Sequence, residues 1–326
     1  MSESRESSVG VAAPVFEPVA GWGALPEGMS FAGDATSVAV DSNDNVHVFN
    51  RGPIAVITFD RDGNYLSSWG EGEFVAPHGV AIDADDAIYL VDSGGSYLGG
   101  GGHVVEKRTL DGEQILFTLG QRGTNAPAHS GKPFNGPTDV VVHPHSRELF
   151  VSDGYGNGAV HRYSPDGEHI ESWGSTGTRP GQFNLPHAIE LIDDDHLIVC
   201  DRENFRLQIL TLDGKFVDQW FAHHPGAVRK AGGRLYVSEL GPIDYQWRVR
   251  GLGCCIRVLE LDGAELTRFG NEDPGAGADQ FISPHSLAID SHGDVYIAEV
   301  SQTWLRFVKE ELPDGEVISL RKWRSS

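Results

Sequence analysis

The chain has 326 residues, 39% of them hydrophobic, and a formal net charge of −22 at pH 7 with an isoelectric point near 4.9. This acidity speaks against a nucleic-acid partner, because phosphate binding needs clustered Lys and Arg side chains. No apolar run reaches the roughly 18 residues of a membrane-spanning helix, so no membrane association is expected. All-β folds of this length can form a single domain.

The N-terminal segment lacks a basic stretch followed by an apolar one, so it does not resemble a signal peptide. We expect residues 1–14 to form a disordered lead. The three cysteines, Cys200, Cys254 and Cys255, are an odd number and do not suggest a disulfide framework. These features favour a cytoplasmic protein.

Two units alternate along the remaining chain. The first is a strand, a polar turn and a second strand, and it recurs at residues 36–50, 77–92, 137–153, 186–201, 225–239 and 284–299. The second is an Asp-Gly turn followed by an alternating strand, at residues 61–70, 110–120, 165–174, 212–220, 261–270 and, more weakly, 313–323. Asp-Gly is a strong hairpin signal. Each repeat therefore contains four short strands.

Six four-stranded repeats predict an all-β fold, a six-bladed β-propeller formed by residues 15–326 as one domain. Residues 15–23 resemble an outer strand without its own blade, which would close the ring beside the last blade. The segments 93–103 and 240–255 are insertions, which we expect on loops that shape a pocket at one face.

Three Pro-His pairs begin inner strands of this propeller. Pro is tolerated at the first residue of a strand because no ladder hydrogen bond is lost there. When the six inner strands are aligned, His78, His187 and His285 share one register on alternate blades. The intervening blades carry small residues there, Thr36, Thr138 and Gly226.

Three imidazoles about 120° apart would converge on the channel axis, which is the arrangement that holds Zn²⁺ or another divalent transition metal. The alternative is that each histidine is a solvated polar cap at a strand start. His145 provides an internal control, because it also follows a proline but lies in a turn.

A second register lies where the second strand of each blade ends. Arg51 and Arg202 occupy equivalent positions on opposite blades, and Tyr155 lies one residue further along in blade three. Arginine can hold a carboxylate in a bidentate pair, and its charge favours the phenolate form of a tyrosine. The alternatives are that the two arginines are ordinary surface residues in turns and that the tyrosine only packs at the end of its blade. If all three face the channel, they suit proton abstraction from a hydroxyl.

The run from 148 to 210, with its SDGY, LPHAIEL and DREN motifs, resembles peptidyl-α-hydroxyglycine α-amidating lyase, a six-bladed propeller of NHL-type repeats. The similarity extends to "NRGPI" (50–54), "APHGVAID" (76–83) and "SPHSLAID" (283–290). The resemblance implies that His78, His187 and His285 bind zinc. It also implies that Tyr155 is the catalytic base and that Arg51 and Arg202 are active-site arginines.

The implied reaction is lyase cleavage of an N-(α-hydroxyalkyl) amide or amine, a hemiaminal, into an amide or amine and an aldehyde. The implied partner is a small-molecule substrate, which we expect to carry a carboxylate. Three positions depart from the family: Ser283 replaces Met, Ser286 replaces a calcium-binding Asp, and Gly156 replaces a disulfide Cys. A structural Ca²⁺ and a peptide pocket therefore stay open questions. The absent disulfide agrees with a cytoplasmic location.

Two other functions stay open from the sequence. A metal-dependent hydrolase of the lactonase type could use the same fold, although such sites usually bind their metal through carboxylates. A non-catalytic propeller that only mediates interactions is the second alternative. The sequence does not define the oligomeric state or the identity of the substrate.

Overall fold

The computed structural model describes residues 13–94, 101–241, 250–308 and 317–326, and contains six antiparallel sheets of four strands each. Each inner strand contacts the inner strands of both adjacent blades, including those of the first and last blade, so the ring is closed. The prediction of a six-bladed β-propeller with four-stranded blades is confirmed. Within the described ranges, no helix is long and apolar enough to cross a bilayer.

The strands of the first three blades follow one another along the chain. Blade one contains β2 (Ala35–Val40), β3 (Val46–Asn50), β4 (Ile54–Phe59) and β5 (Tyr65–Glu71). Blade two contains β6 (Pro77–Ile82), β7 (Ala87–Asp92), β8 (Val104–Thr109) and β9 (Ile115–Gly120). Blade three contains β10 (Pro137–Val142), β11 (Leu149–Asp153), β12 (Ala159–Tyr163) and β13 (His169–Trp173).

The fourth and fifth blades repeat this order, and the sixth is completed by the strand near the N-terminus. Blade four contains β14 (Pro186–Leu191), β15 (His196–Asp201), β16 (Arg206–Thr211) and β17 (Phe216–Phe221). Blade five contains β18 (Pro225–Ala231), β19 (Arg234–Glu239), β20 (Cys255–Leu259) and β21 (Glu265–Phe269). Blade six contains β22 (Pro284–Ile289), β23 (Val295–Glu299), β24 (Leu320–Ser325) and β1 (Phe16–Val19).

Blade six differs from the sequence prediction in two ways. Its outer strand is β1, which pairs with β24 from Phe16 opposite Ser325 to Val19 opposite Lys322, as the expected ring closure requires. The strand after the sixth Asp-Gly pair is therefore the third strand of the blade and not the fourth. A short helix, α1 (Ser301–Phe307), follows β23 where the repeat pattern predicts a strand. The Asp-Gly pair itself lies outside the described residues.

The hydrophobic core is divided among the interfaces between neighbouring blades. Between blades one and two, for example, Phe49, Val56, Val80 and Leu90 form part of one buried cluster. Because every blade packs in this way against two neighbours, the ring holds the ends of all six inner strands in a fixed arrangement around the axis.

Each inner strand carries a β-bulge at its start. In blade four, Pro186 pairs with Asp201 and Ala188 pairs with Cys200, so His187 is the extra residue. The same shift occurs at Thr36, His78, Thr138, Gly226 and His285. A bulge re-aims the side chain and carbonyl of the extra residue. The six residues that share one register in the sequence are therefore the bulge residues of the six inner strands.

The two predicted insertions are only partly described. Residues 95–100 of the first and 242–249 of the second lie outside the described residues, as do residues 1–12 of the N-terminal lead.

Candidate active site

The three histidines predicted from the repeat register meet on the channel axis. The ring centroids of His78, His187 and His285 are 4.6 to 4.8 Å apart, and no residue of the three is more than 4% exposed. Their potential ligand atoms all lie within 4.8 Å of one another. Among the described residues, this is the one cluster of three or more His, Cys, Asp or Glu side chains with metal-binding spacing.

The backbone of the intervening blades orients each ring. Nδ1 of His78 donates to the carbonyl of Thr138 at 2.6 Å, Nδ1 of His187 to Gly226 at 2.6 Å, and Nδ1 of His285 to Thr36 at 2.7 Å. A carbonyl can only accept, so Nδ1 carries the proton and Nε2 carries the lone pair in each neutral ring. Metal-bound histidines are held by the same kind of outer hydrogen bond.

Burial also keeps these rings neutral. It lowers the pKa of His285 to about 3, despite the hydrogen bond to Thr36. Burial is also the main reason that the pKa values of His78 and His187 lie well below the usual value. The positive charges of Arg51 and Arg202 act in the same direction on the pKa of His78, and that of Arg202 does so on the pKa of His187. Three neutral imidazole nitrogens are a donor set suited to zinc and related transition metals, so these residues fit such an ion.

Tyr155 reaches the triad from the end of blade three. Its hydroxyl lies 2.9 Å from Nε2 of His78 and 3.5 Å from Nε2 of His187. The guanidinium of Arg202 lies 5.9 Å from the centre of the Tyr155 ring, within the range of a cation–π contact. The structure therefore brings the predicted tyrosine, one predicted arginine and the histidines into one group.

The side chain of Arg202 is 17% exposed, and a carboxylate compensates its charge. Nε of Arg202 donates to Oε1 of Glu203 at 2.9 Å. Burial would lower the pKa of Arg202, but the charges of Tyr155 and Glu203 raise it. Burial would likewise raise the pKa of Glu203, but His224 and then Arg202 bring it to about 2. Glu203 and His224 were not identified as site residues from the sequence.

Arg51 approaches from blade one, and its partners were also missed. Nη1 of Arg51 donates to Oγ1 of Thr303 at 3.1 Å and lies 3.5 Å from Oδ2 of Asp34. Thr303 belongs to α1, the helix that the repeat pattern did not predict. Both arginines thus have a carboxylate on one side, Asp34 or Glu203, and the cavity on another.

A cavity of about 380 Å³ opens above the triad in the described part of the chain. Four predicted site residues form its polar end, and Thr303 together with apolar side chains forms the rest of its wall. The polar end consists of Arg51, Tyr155, Arg202 and His285, and the wall of Leu185, Leu240, Val300, Thr303, Trp304 and Phe307.

Buried acidic residues at the ends of five of the six second strands support the site from behind, and β3 ends at Asn50 instead. In blade four, Oδ1 of Asp201 accepts the backbone N–H of Asn184 at 2.7 Å, three residues before His187. In blade two, Asp92 accepts the N–H of Ala76 at 2.8 Å, and in blade six Glu299 accepts that of Ser283 at 3.0 Å. The acidic residues were visible in the sequence, but their hydrogen-bond partners were not.

The channel behind the triad contains a charge pair and two buried serines. Arg229 donates to both carboxylate oxygens of Asp139, at 2.8 and 3.1 Å. Ser286, at the position where the resembled family has a calcium-binding Asp, shares a 3.0 Å hydrogen bond with Ser37.

The cysteines have no part in this group. Cys200, Cys254 and Cys255 are free and buried. Burial raises the pKa of Cys255 to about 12 and those of the other two well above the usual value. Protonated thiols are poor metal ligands and poor nucleophiles.

Comparison with known proteins places the chain among NHL-repeat proteins. The family profile of the NHL repeat matches residues 183–210. The chain is 30% identical over 310 residues to mouse NHL repeat-containing protein 3, covering 88% of this chain and 82% of that protein. It is 29% identical over 348 residues to Drosophila melanogaster peptidyl-alpha-hydroxyglycine alpha-amidating lyase 1, covering 89% of this chain and 60% of that protein.

Two further comparisons define the extent of the similarity. The chain spans about a third of the length of frog peptidyl-glycine alpha-amidating monooxygenase B. Its fold is similar to that of a gluconolactonase from Xanthomonas campestris, with a TM-score of 0.58 and 15% identity over 91% of this chain and 89% of that one. The chain therefore belongs to the NHL-repeat family and is a homologue of both NHL repeat-containing protein 3 and the peptidyl-α-hydroxyglycine α-amidating lyases.

Proposed function

We propose that this protein is a metal-dependent carbon–nitrogen lyase that cleaves N-(α-hydroxyalkyl) amides to an amide and an aldehyde. The observation that carries the proposal is that Tyr155 and two arginines line the polar end of one cavity beside a triad of neutral histidines, of which His285 reaches the cavity. The homology to amidating lyases supports the same reaction class.

The histidines would hold the metal through their Nε2 atoms. Zinc is the ion that best fits three neutral imidazole ligands, with another divalent transition metal as the alternative. When bound, the metal would supply Lewis acidity toward the substrate hydroxyl. The carbonyls of Thr36, Thr138 and Gly226 keep the three lone pairs directed at the axis.

Tyr155 is the proton acceptor of the proposed reaction. Its phenolic oxygen lies beside the triad, and the guanidinium of Arg202 lies next to its ring. Tyr155 takes the proton of the substrate hydroxyl, the electron pair left on that oxygen forms the second C–O bond of the aldehyde, and the C–N bond breaks with its electron pair leaving on nitrogen. The nitrogen then receives a proton, which the phenol of Tyr155 can return, so no water is consumed.

The arginines bind the substrate. The guanidiniums of Arg51 and Arg202 line the cavity, and each can offer a paired set of N–H donors to a carboxylate. A substrate whose aldehyde product carries a carboxylate, such as glyoxylate, matches this polar end. The acyl side of the substrate would occupy the apolar part of the cavity.

The test is aldehyde release from α-hydroxyhippurate by the zinc-loaded protein. We expect glyoxylate and benzamide in equal amounts, and a loss of at least about 100-fold in kcat for Tyr155→Phe. Arg179→Lys, on a surface loop outside the cavity, serves as the control and should keep full activity. Activity that survives in both Tyr155→Phe and His187→Ala would refute the proposed site.

Isotope labelling separates a lyase from a hydrolase. In ¹⁸O-labelled water, a lactonase-type hydrolase incorporates label into its acid product, whereas the lyase reaction needs no water oxygen. Glyoxylate exchanges its carbonyl oxygen with water, so benzamide is the product to analyse. Unlabelled benzamide supports the lyase, and labelled benzoate in its place would support hydrolysis.

A further inference from the structure

Helix α1 is attached to blade one by its first turn. The backbone N–H of Gln302 donates to the carbonyl of Gly33 at 3.0 Å, and that of Thr303 donates to Oδ1 of Asp34 at 3.0 Å. Gly33 has a φ of +74°, and a Cβ there would lie 2.8 Å from Cβ of Gln302. Glycine therefore permits both the left-handed turn and the close approach of the helix.

The hydroxyl of Thr303 links Asp34 to Arg51. Oγ1 of Thr303 donates to Oδ2 of Asp34 at 2.5 Å and accepts from Nη1 of Arg51 at 3.1 Å. The hydroxyl proton of Thr303 points to the carboxylate of Asp34, so a lone pair on Oγ1 faces the guanidinium of Arg51. One edge of Arg51 is thus fixed to α1, while the residue also lines the cavity.

One face of the same helix forms much of the apolar wall. Val300, Thr303, Trp304 and Phe307 all line the cavity, at the i, i+3, i+4 and i+7 spacing of a single helical face. Val300 and Trp304 are buried, whereas Phe307 is 60% exposed. A large aromatic side chain that is exposed beside a cavity is typical of a surface that a bound ligand covers.

We infer that α1 is the recognition element of this cavity. Thr303 is a positioning residue that orients Arg51 toward a carboxylate, and Phe307 selects for a bulky apolar group on the other part of the same ligand. The inference rests on the proposed function only in taking an acylated glycine as the ligand skeleton. It predicts two separable effects on ligand affinity: changes at Thr303 weaken binding of the carboxylate, and changes at Phe307 weaken binding of the apolar group.

The experiment uses two ligands without the reacting hydroxyl, hippurate and N-acetylglycine, so that no turnover is required. Both carry the same carboxylate, and they differ in a benzoyl against an acetyl group. Calorimetric titration of the full-length, zinc-loaded protein should give tighter binding of hippurate. Failure of the wild-type protein to bind either ligand, or equal affinity for both, would overturn the inference.

Substitutions on α1 should separate the two effects. Phe307→Ala should weaken hippurate binding about fivefold and change N-acetylglycine binding less than about twofold. Phe307→Leu should retain most of the preference. Thr303→Val should weaken both ligands by about tenfold, and Thr303→Ser, which keeps the hydroxyl, should restore them.

A purely structural role for α1 predicts a different pattern. Equal weakening of both ligands by Phe307→Ala, or no effect of Thr303→Val on either, would contradict the inference. Phe307 is exposed, so its variants test the idea even if Thr303→Val lowers the unfolding temperature. If hippurate binds as expected but α-hydroxyhippurate releases no aldehyde, the lyase proposal fails and the recognition role of α1 stands.

Discussion

At the scale of single residues, the state of the triad is set by its neighbours. Each Nδ1 is committed to a backbone carbonyl, and each ring is buried. The neutral form, with the lone pair on Nε2, is therefore favoured before any ligand is present.

The metal-free protein should lose stability in mild acid because of these histidines. The folded pKa of His285 is about 3, against 6.5 for an unperturbed histidine, so between these values the unfolded chain binds more protons. The free energy of unfolding should fall as the pH drops below about 6.5, by about 1.4 kcal/mol per pH unit for each such histidine.

The measurement is urea unfolding of the metal-free protein between pH 7 and pH 4.5, compared with His285→Asn. Carboxylates contribute to acid unfolding in both proteins, so the difference in slope isolates the histidine. We expect a shallower pH dependence in the variant. Identical slopes would show that His285 has an ordinary pKa in the folded state.

The residues of the site differed in how visible they were in the sequence. His78, His187 and His285 were identified because the repeat supplies a register in which alternate blades can be compared. Tyr155, Arg51 and Arg202 came from a second register and from family motifs. Glu203, Asp34 and Thr303 were missed for local reasons. Glu203 directly follows Arg202, and Asp34 precedes the inner strand of the blade that carries Arg51, so neither lies at a position compared in the repeat register. Thr303 belongs to a helix that the repeat pattern does not predict.

At the scale of elements, the bulge and the acidic strand end act together. The bulge turns each histidine toward the axis, and the carboxylate at the end of the neighbouring strand holds the segment that precedes it. In blade four, Asp201 also receives hydrogen bonds from Asn204, Arg206 and Gln208. This residue is therefore the centre of a buried polar network.

Replacing Asp201 should be costly. Asp201→Asn leaves the guanidinium of Arg206 without its buried counter-charge, which we expect to lower the free energy of unfolding by about 3 to 5 kcal/mol. Urea denaturation is the measurement. The matched control is Asp166→Asn in an exposed turn, expected within about 0.5 kcal/mol of wild type. A similar stability for the two variants would contradict the role of this network.

Helix α1 could not be predicted from the repeat pattern. The residues Val300, Thr303, Trp304 and Phe307 have helical spacing, but the pattern covers only two turns and includes a polar residue. It also lies where the repeat predicts a strand. The helix forms because blade six receives its fourth strand from the N-terminus, which releases the segment after β23 from the usual pattern.

At the scale of the whole molecule, the ring is closed by strands from both ends of the described chain. β1 pairs with β24, and Phe16 on β1 stacks on Phe269 with ring centroids 4.4 Å apart. Phe16 also makes an edge contact with Tyr236 at 6.2 Å. The closing strand is thus packed against blade five as well as paired within blade six.

The closure can be tested with one substitution. Phe16→Ala removes a side chain that is only 9% exposed, and we expect it to lower the free energy of unfolding by about 3 kcal/mol. Val15→Ala, at a residue that is 57% exposed, is the neighbouring control and should have little effect. Equal effects of the two substitutions would argue that β1 does not stabilise the closed ring.

Elemental analysis of the purified protein tests most directly whether His78, His187 and His285 hold one metal ion. We expect one transition-metal ion per chain, most readily zinc, in the wild-type protein. We also expect the loss of that ion in His78→Ala, His187→Ala and His285→Ala, while His145→Ala, in a turn away from the axis, retains it. A wild-type protein without stoichiometric metal after zinc loading, or triad variants that keep the metal, would show that the three histidines do not form a metal site.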